Sequence, residues 1–452
     1  MQKKVYDVAV IGTGVSGSTI AHKCAAAGKK TAVIESSEEL IGGTCELFGC
    51  NPKKVYVTAS GVKNEFEALK GKGLSGSAEI DWEKLAEFQH EFTDGIQEKD
   101  KKAFEKHAID VYTQYAHFTG KDTLRTGDTE IKASKIVIAS GSTPRKLNIP
   151  GEELIKPEHY LYEIKTLPEK IILIGGGYIS FEFAHVLASA GAAVEIIEAG
   201  EKPLAGFENE LVDLLVKAGK ERGINVRTNT AVSGVSQDKD GAFIVHTEGA
   251  EKTVKAGLVI HGAGRVPNTE KLDLEKGNIQ SGPGGIKVNE YMQSVTNENV
   301  YAAGDVNDKS YMLTPVAALE GKVISGNIIN KEKVSAVYTG IPSAVFTMPA
   351  LASAGMTEIQ VRKAGLEYDV KFKDTSSHAV NRRKNMKYGA YKIITDKKTD
   401  RILGVHMLAH NAEETINIFA MAIQTGVTRQ RMRDIVWGFP TDAYEINYML
   451  KM

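Results

Sequence analysis

Apolar residues cluster in short runs that alternate with stretches of helical periodicity, the pattern of a chain that winds back and forth over parallel sheets. Residues 5–11 form an apolar strand (Val5, Val8, Ala9, Val10, Ile11). A helix over 18–27 follows, closed by Gly28, and then a second strand over 30–34 ends at Glu35. The same sequence of strand, helix and strand recurs over 171–174, to about 190, and 194–197, ending at Glu198. Between them lie a helical region over 55–69, a turn at Gly71, Gly73 and Gly76, and one long helix over 81–106. Trp82, Leu85, Phe88, Phe92 and Ile96 recur at helical spacing on that helix, which reads as a core stripe. A β-rich stretch over 110–138 and a linker over 148–151 complete the first part.

From about Ala336 the texture changes. Strands over 343–346, 368–372 and 390–395 alternate with helices over 357–364 and 413–424, the pattern of an α+β domain. The fold class expected is therefore α/β, with two Rossmann-like dinucleotide-binding domains and a C-terminal α+β domain. The expected boundaries are 1–147, 148–268, 269–335 (returning to the first domain) and 336–452.

Each strand–helix junction carries glycines at telling positions. The first reads Gly12-Thr13-Gly14-Val15-Ser16-Gly17 with Glu35 at the end of the next strand. The second reads Gly175-Gly176-Gly177-Tyr178-Ile179-Ser180 with Glu198 in the same place. Glycines permit a tight turn and close approach of a pyrophosphate to the helix N-terminus, and the acid meets the ribose hydroxyls. Two such fingerprints imply two dinucleotides or a duplicated ancestor. Ser180 replaces the third glycine with another small residue. Glu198 accepts from a 2′-hydroxyl but repels a 2′-phosphate, and no arginine lies between Glu198 and Glu221, so NADH is expected over NADPH.

The chain holds three cysteines, two of them in Gly42-Gly43-Thr44-Cys45-Glu46-Leu47-Phe48-Gly49-Cys50-Asn51-Pro52-Lys53-Lys54. Zinc is disfavoured, because no second ligand pair stands at metal spacing and Cys24 beside His22 makes no finger pattern, so no metal site is expected. In a regular helix residues five apart are roughly 8.5 Å apart, beyond disulfide reach. A Cys45–Cys50 bond would need a distorted first turn, which Gly42, Gly43 and Gly49 permit. Such a bond is readily reduced, since a helix N-terminus favours thiolate. The competing reading is two small buried hydrophobes at coincidental spacing.

Net charge is −1 over 452 residues, without a long block of one sign, so neither nucleic acid nor an acidic membrane is an expected partner. No run reaches the roughly 18 apolar residues of a membrane span. The N-terminus runs directly into a strand without a cleavable apolar segment, and cysteines are few. A reducing, cytoplasmic location is expected.

Cys45-x4-Cys50-Asn51-Pro52-Lys53-Lys54, the two fingerprints and Tyr301-Ala302-Ala303-Gly304-Asp305-Val306 together resemble the flavoprotein disulfide reductases: glutathione reductase, dihydrolipoamide dehydrogenase and mercuric reductase. Residues 341–347 and Gly404-Val405-His406 resemble that family's interface domain, which implies a homodimer. The resemblance makes Gly12, Gly14, Gly17, Glu35, Gly43, Thr44, Lys53, Ser140, Gly141, Gly264, Arg265, Asp305, Leu313 and Thr314 contacts of FAD. It makes Gly175, Gly177, Tyr178, Ile179, Glu182 and Glu198 the NADH side, with Tyr178 covering the nicotinamide pocket. Lys53 would lie near the flavin N5, paired with Glu182, where a cation favours charge on the reduced ring. Cys50 would be the charge-transfer sulfur facing the flavin, and Cys45 the one that exchanges with a small disulfide or thiol-linked substrate.

One departure stands out. Where the family's dimer partner supplies His-Pro-Thr, this chain reads Phe439-Pro440-Thr441, and the glutamate expected five residues past the histidine falls at Tyr444, with Glu445 one step later. Phenylalanine can neither hold a thiol deprotonated nor protonate a leaving thiolate. The same exchange marks 2-ketopropyl-coenzyme M oxidoreductase/carboxylase, where excluding an acid lets a carbanion meet carbon dioxide. Three functions are therefore weighed. They are an NADH-dependent disulfide reductase with an altered acid (Tyr444, substrate or water), a carboxylase-like thioether cleavage, and electron transfer to a protein or quinone. The reductase is favoured, because the chain length is ordinary for one. His378 with Arg382-Arg383-Lys384 reads as a solvated turn, His406 as a structural hydrogen bond between strand and helix, and Cys24 as a packed small residue.

Overall fold

The structure is a computed structural model that describes residues 2–249, 252–331 and 333–451. It divides into two compact units, one of Met1–Lys54, Glu87–Arg145 and Gly264–Tyr338, the other of Val55–Ala86, Lys146–Ala263 and Thr339–Met452.

The first unit is built on a seven-stranded sheet. Gln2–Ile11 lies at its centre, parallel to Thr31–Ile34 on one side (Val8 opposite Thr31) and to Thr129–Ile138 on the other (Gln2 opposite Thr129). Asp110–Tyr112 and Val300–Ala302 extend the parallel part, and Thr123–Thr126 and Ala116–Gly120 add an antiparallel edge. Val8–Ile11, Ala32–Ile34 and Ile136–Ile138 are each at most 5% exposed, so the central strands read as unbroken apolar runs because both faces are covered. On one face the helices Val15–Ala26 and Thr314–Asn330 pack together; a side chain at Gly321 would press on the Ser16 carbonyl and the Thr19 side chain, both 3.1 Å from its Cβ.

The second unit holds a four-stranded parallel sheet in the order Ile224–Arg227, Ala193–Ile197, Lys170–Ile174, Leu258–His261. The helices Tyr178–Ser189 and Asn209–Lys220 belong to this α/β layer. A three-stranded antiparallel sheet over 232–256 adjoins it. The predicted linker is firmly seated there: Val235 N donates to the Pro150 carbonyl at 2.9 Å, and at Gly151 (φ +77°) a Cβ would lie 1.7 Å from the Val235 oxygen. The C-terminal part is a five-stranded antiparallel sheet in the order Pro342–Val345, Ala350–Gly355, Ile402–Ala409, Ala390–Asp396, Tyr368–Asp374, with the helix Ala412–Thr425 packed on it. The α/β class with a C-terminal α+β sheet is thus the one expected.

Several local expectations are corrected. The long helix breaks at Asp94-Gly95, where Gly95 adopts φ +79°, into Trp82–Thr93 and Ile96–Lys106. Trp82 is buried, but Phe88 and Phe92 are about half exposed and pack edge-on against each other at 5.2 Å, so this part of the stripe is not core. The helix predicted from residue 55 begins at Cys50. Two C-terminal strands escape the pattern. Ala350–Gly355 is made of small residues, and Ile402–Ala409 is too uniformly apolar to alternate. His406 lies within the latter strand, where its Nε2 meets the Met356 carbonyl at 3.0 Å. Residues 379–382 form a short helix, and its neighbours are engaged: Lys384 Nζ meets both oxygens of Asp442 at 3.0 and 3.1 Å.

One buried charge cluster ties the α/β layer of the second unit to its C-terminal sheet. Lys392 Nζ, with its side chain 4% exposed, lies 2.9 Å from Glu208, 2.9 Å from Glu210 and 2.6 Å from Glu358. These three carboxylates have the geometry of a cation site, and the lysine ammonium is the cation they surround. Removing it leaves the buried Glu208 and the mostly buried Glu358 facing the half-exposed Glu210 without a counter-charge, which costs about 3–5 kcal/mol. Lys392→Met should lower the denaturation midpoint accordingly, whereas Lys398→Met at an exposed pair (side chain 74% exposed) should change stability by about 0.5 kcal/mol or less. Equal losses in the two variants would show that the cluster does not hold the unit together.

Candidate active site

The first glycine loop is shaped by close backbone contacts. At Gly12 (φ +102°) a Cβ would lie 2.3 Å from the Ala139 oxygen, and at Gly17 one would lie 2.1 Å from the Gly12 oxygen. The helix that follows has Gly14 at its N-cap, no side-chain cap and no acid in its first turn, so its N–H groups point outward unanswered by side chains. Glu35 braces the loop: Oε2 accepts from Thr13 N at 3.0 Å and Thr13 Oγ1 at 2.9 Å, and Oε1 accepts from Ser36 N at 2.7 Å. Thr13 Oγ1 also accepts from Gly42 N at 3.3 Å. At Gly43 (φ +74°) a Cβ would lie 2.5 Å from Gly14 Cα, so the cysteine segment rests directly on the glycine loop.

That segment resolves the spacing problem by breaking its helix. Cys45 sits in the short helix Gly43–Leu47, with Thr44 beside it exposed, and Cys50 opens the helix Cys50–Leu69. Gly49 N donates to the Thr44 carbonyl at 2.7 Å across the break. Both thiols are free in this structure, Cys45 half-buried and Cys50 exposed. Thr314 Oγ1 donates to Cys45 Sγ at 3.1 Å and lies 3.4 Å from Cys50 Sγ. Thr314 also begins the helix Thr314–Asn330, whose N-cap, Leu313, offers no side-chain cap, and such an N-terminus favours thiolate.

The two sulfurs are driven apart electrostatically. The hydrogen bond from Cys45 is the main cause that lowers the Cys50 thiol to about 6, helped by Thr314 and the charges of Lys53 and Lys54 against the partial desolvation of a sulfur whose residue is otherwise exposed. The same hydrogen bond, with Cys45 as donor, pushes the Cys45 thiol well up, and burial adds to it. Lys53 is buried one turn into the Cys50 helix.

Asp305 and Arg265 are joined through Ser142, whose hydroxyl donates to Asp305 Oδ2 at 2.9 Å and accepts from Arg265 Nε at 2.9 Å. Ser140 Oγ donates to the Asn268 carbonyl, Arg145 N to that of Gly264 (φ +93°), and a Cβ at Gly141 (φ +66°) would meet nothing within 4 Å. The sequence reading missed Glu320. Its fully buried carboxylate accepts from Gly304 N at 2.6 Å, Asn307 Nδ2 at 2.8 Å and Tyr338 OH at 2.8 Å, and so fixes the turn that carries Asp305. A lone glutamate on the apolar face of the 314–330 helix was the available signal.

In the second unit Glu198 repeats the part of Glu35. Its Oε2 accepts from Gly176 N and its Oε1 from Gly200 N, both at 2.6 Å. At Gly175 (φ +98°) a Cβ would lie 2.4 Å from the Gly262 oxygen, and a Cβ at Gly262 would lie 2.0 Å from Ser180 Oγ, so the small-residue rule is met reciprocally. Gly177 is the N-cap of an uncapped helix on which Tyr178 is exposed, Ile179 half-buried and Glu182 buried, accepting from Phe346 N at 3.0 Å. Lys202 is drawn off to Asp213 at 2.8 Å. Near the C-terminus Phe439 is 75% exposed, and its ring packs edge-on against Tyr444 at 4.8 Å.

The family model "Pyridine nucleotide-disulphide oxidoreductase" matches residues 6–321, and that family's dimerisation domain matches 341–449. The chain therefore belongs to the pyridine nucleotide-disulphide oxidoreductases, a family of FAD-dependent enzymes that use a pyridine nucleotide. It is 31% identical to a glutathione reductase of Nostoc sp. over 97% of this chain and 98% of the relative, and 29% identical to a mercuric reductase of Staphylococcus aureus over 95% and 79%. Among solved structures it is similar to a Cu(II) complex of the HOCl-induced flavoprotein disulfide reductase RclA from Escherichia coli, with TM-score 0.88 and 27% identity over 100% and 99% of the two chains. The first unit fits FAD: a bare helix N-terminus for pyrophosphate, a braced carboxylate beside it, and open space at Gly141.

In the dithiol-reduced protein, one thiolate should persist down to an apparent midpoint of about 6 and be lost below it. Thr314→Val removes the hydroxyl whose hydrogen bonding helps to hold the Cys50 thiol down and should move that midpoint upward. Ultraviolet thiolate absorbance across a pH series measures both, and a wild-type midpoint at the ordinary thiol value of about 8.5 would count against the arrangement.

Proposed function

We propose that this enzyme is an NADH-dependent disulfide oxidoreductase that works as a homodimer and passes electrons through Cys45 and Cys50 to a small disulfide or thiol-linked substrate. The observation that carries this reading is the shared hydroxyl of Thr314 between two free sulfurs, with one sulfur favoured as thiolate and the other as thiol. A pair so divided has a resident anion and an exchangeable thiol, the two roles that dithiol–disulfide exchange needs. Bound in this cradle, FAD would supply the two-electron chemistry that links a nicotinamide hydride to the sulfur pair. In this reading Gly12, Gly14, Gly17, Glu35, Arg265 and Asp305 hold FAD, while Lys53 and Glu182 carry charge near its ring. Cys50 faces the flavin and Cys45 meets substrate. Gly175, Gly177, Tyr178 and Glu198 take NADH, because a carboxylate fixed by two backbone N–H groups cannot turn away from a 2′-phosphate.

The carboxylase-like alternative rests on Phe439. Its ring lies against Tyr444, and the neighbouring Glu445 is paired with an imidazole, so the surroundings of Phe439 are not free of proton donors. A soft-metal reading also has an observation behind it, since two thiols around one hydroxyl are good donors to Hg(II) or Cu(I), and relatives include a mercuric reductase.

Cys45→Ser and Cys50→Ser should each retain FAD and its reduction by NADH, while disulfide turnover falls at least about a thousandfold. Turnover surviving in either variant, or a wild type that reduces Cu(II) or Hg(II) but no disulfide, would remove the disulfide reading. NADH should also show the higher kcat/KM for flavin reduction, and parity with NADPH would remove the role given to Glu198.

A further inference from the structure

A cavity that the sulfur and nucleotide chemistry leaves unused lies in the first unit, at the end of its sheet away from the glycine loop. Asp7, Lys29 and Lys135 line it, where the strand Thr31–Ile34 enters the sheet and Val8 stands between Thr31 and Lys135. The strand that carries Asp7 runs on to Gly12, which lies roughly 16 Å further along at about 3.3 Å per residue. Tyr301 forms part of the wall, on the short strand Val300–Ala302 that leads towards Asp305. The cavity is therefore separate from the nucleotide cradle at the other end of the same strands. Its volume of about 480 Å³ falls within the range of small-molecule sites.

Its wall is unusually cationic. Lys29, Lys135, Lys331 and Lys333 line it, and the one acid among the lining residues, Asp7, has its Oδ2 taken by Lys30 N at 2.8 Å. Other lysines of this unit pair with acids, Lys276 with Asp273 at 2.7 Å and Lys132 with Asp122 at 3.2 Å. Among the described residues none of these four makes an ion pair. Lys135 Nζ donates to Asn299 Oδ1 at 2.7 Å, and burial holds its half-buried ammonium below the usual lysine range, against the charge of Glu298. Lys333 Nζ stands over the Tyr291 ring at 5.7 Å. The loop that carries Lys331 and Lys333 is clamped at both sides of one amide. Asn327 Nδ2 donates to the Val334 carbonyl at 2.9 Å, and Val334 N donates to Asn327 Oδ1 at 2.8 Å. Two of the four lysines have a simpler reason to be there. The helices Val15–Ala26 and Thr314–Asn330 end near Lys29 and at Lys331, and cations complement helix C-termini. That reason does not reach Lys135, on a strand, or Lys333, beyond the helix end.

We propose that this cavity is a binding site for a small oligophosphate, held by Lys29, Lys135, Lys331 and Lys333. Lysine ammoniums are compact point charges that meet phosphate oxygens from any direction. No arginine lines the cavity, so a planar carboxylate finds no bidentate fork there. Several ammoniums spread around one space match a ligand whose charge is spread over linked phosphates. The Tyr291 ring is already faced by Lys333, and Tyr301 is buried with its hydroxyl accepting from Gln293 Nε2 at 3.2 Å. Neither offers a bare face to a nucleobase, so recognition rests on the phosphates, whether free or carried by a nucleoside. Binding is non-covalent, and it stabilises the unit by relieving repulsion among the lysines. It is independent of the substrate given to the cysteine pair.

The test is isothermal titration calorimetry of the FAD-loaded enzyme with tripolyphosphate, ATP and citrate, each with and without excess NADH. Tripolyphosphate and ATP should bind comparably, citrate more weakly, and NADH should displace neither phosphate ligand from this site. Affinity should fall as salt is raised. Lys135→Gln and Lys331→Gln should each weaken tripolyphosphate by about tenfold or more, the loss of one charge-assisted hydrogen bond. Lys333→Gln should act in the same direction, and because Lys331 and Lys333 are exposed their variants do not disturb the core. Lys106→Gln, outside the wall, should bind as wild type does. Independently, tripolyphosphate should raise the Tm of wild type and leave that of a Lys331→Gln/Lys333→Gln double variant unchanged. Displacement of tripolyphosphate by NADH would place it in a glycine cradle and overturn the proposal. Equal affinity in wild type and the lysine variants, citrate binding as tightly as tripolyphosphate, binding of ATP alone, or no binding at all would each overturn it as well.

Discussion

A carboxylate at the end of the second strand, locked onto the backbone of a glycine turn, is the constraint on which both glycine loops depend. Glu35 holds Thr13 N, and Glu198 holds Gly176 N, in each case the middle residue of the Gly-x-Gly turn. With the turn braced from one side, the following helix can present a first turn without a side-chain cap or an acid. An uncapped helix N-terminus is normally a cost, because its N–H groups lack partners. Here the carboxylate beside it holds the loop without covering the helix end, which keeps that end available to an anion.

In the first unit the same brace reaches the sulfur chemistry. Thr13 donates to Glu35 and its hydroxyl accepts from Gly42 N, and Gly43 lies on Gly14 so closely that no side chain fits. The cysteine segment is therefore held by the glycine loop, and a second bare helix end arrives at Thr314. Two helix starts, those at Cys50 and Thr314, and the cations Lys53 and Lys54 all favour negative charge at one sulfur. Thr314 donates to Cys45 and touches Cys50, so a single hydroxyl couples the pair. The division of the pair into anion and thiol is a property of this local field, not of the cysteines themselves.

The C-terminal part of the second unit is organised around charges of another kind. Lys392 gathers carboxylates from the α/β layer and from the helix Glu358–Lys363, and His378, Lys384 and His410 each find an acid. The basic run at 382–384, which composition alone makes a solvated turn, is drawn into this network by Pro440, which accepts from Arg383, and by Asp442, which accepts from Lys384.

The sequence by itself determined the two fingerprints, the cysteine motif, the family and the α/β class, because each depends on local geometry. A glycine turn, a strand run and a two-cysteine helix start are written within a few tens of residues. It also reads phenylalanine at 439, where the resemblance implies a histidine. What it could not supply were contacts between segments far apart in the chain. The break at Gly95 and the exposure of Phe88 and Phe92 were decided by which face the fold covers, and periodicity marks a face without saying what meets it. Thr314 between the sulfurs, Glu320 under Gly304 and His378 on Glu445 join residues 16 to 269 positions apart. Hydrogen bonds at such separations are set by how sheets and helices stack, so only the tertiary structure could decide them.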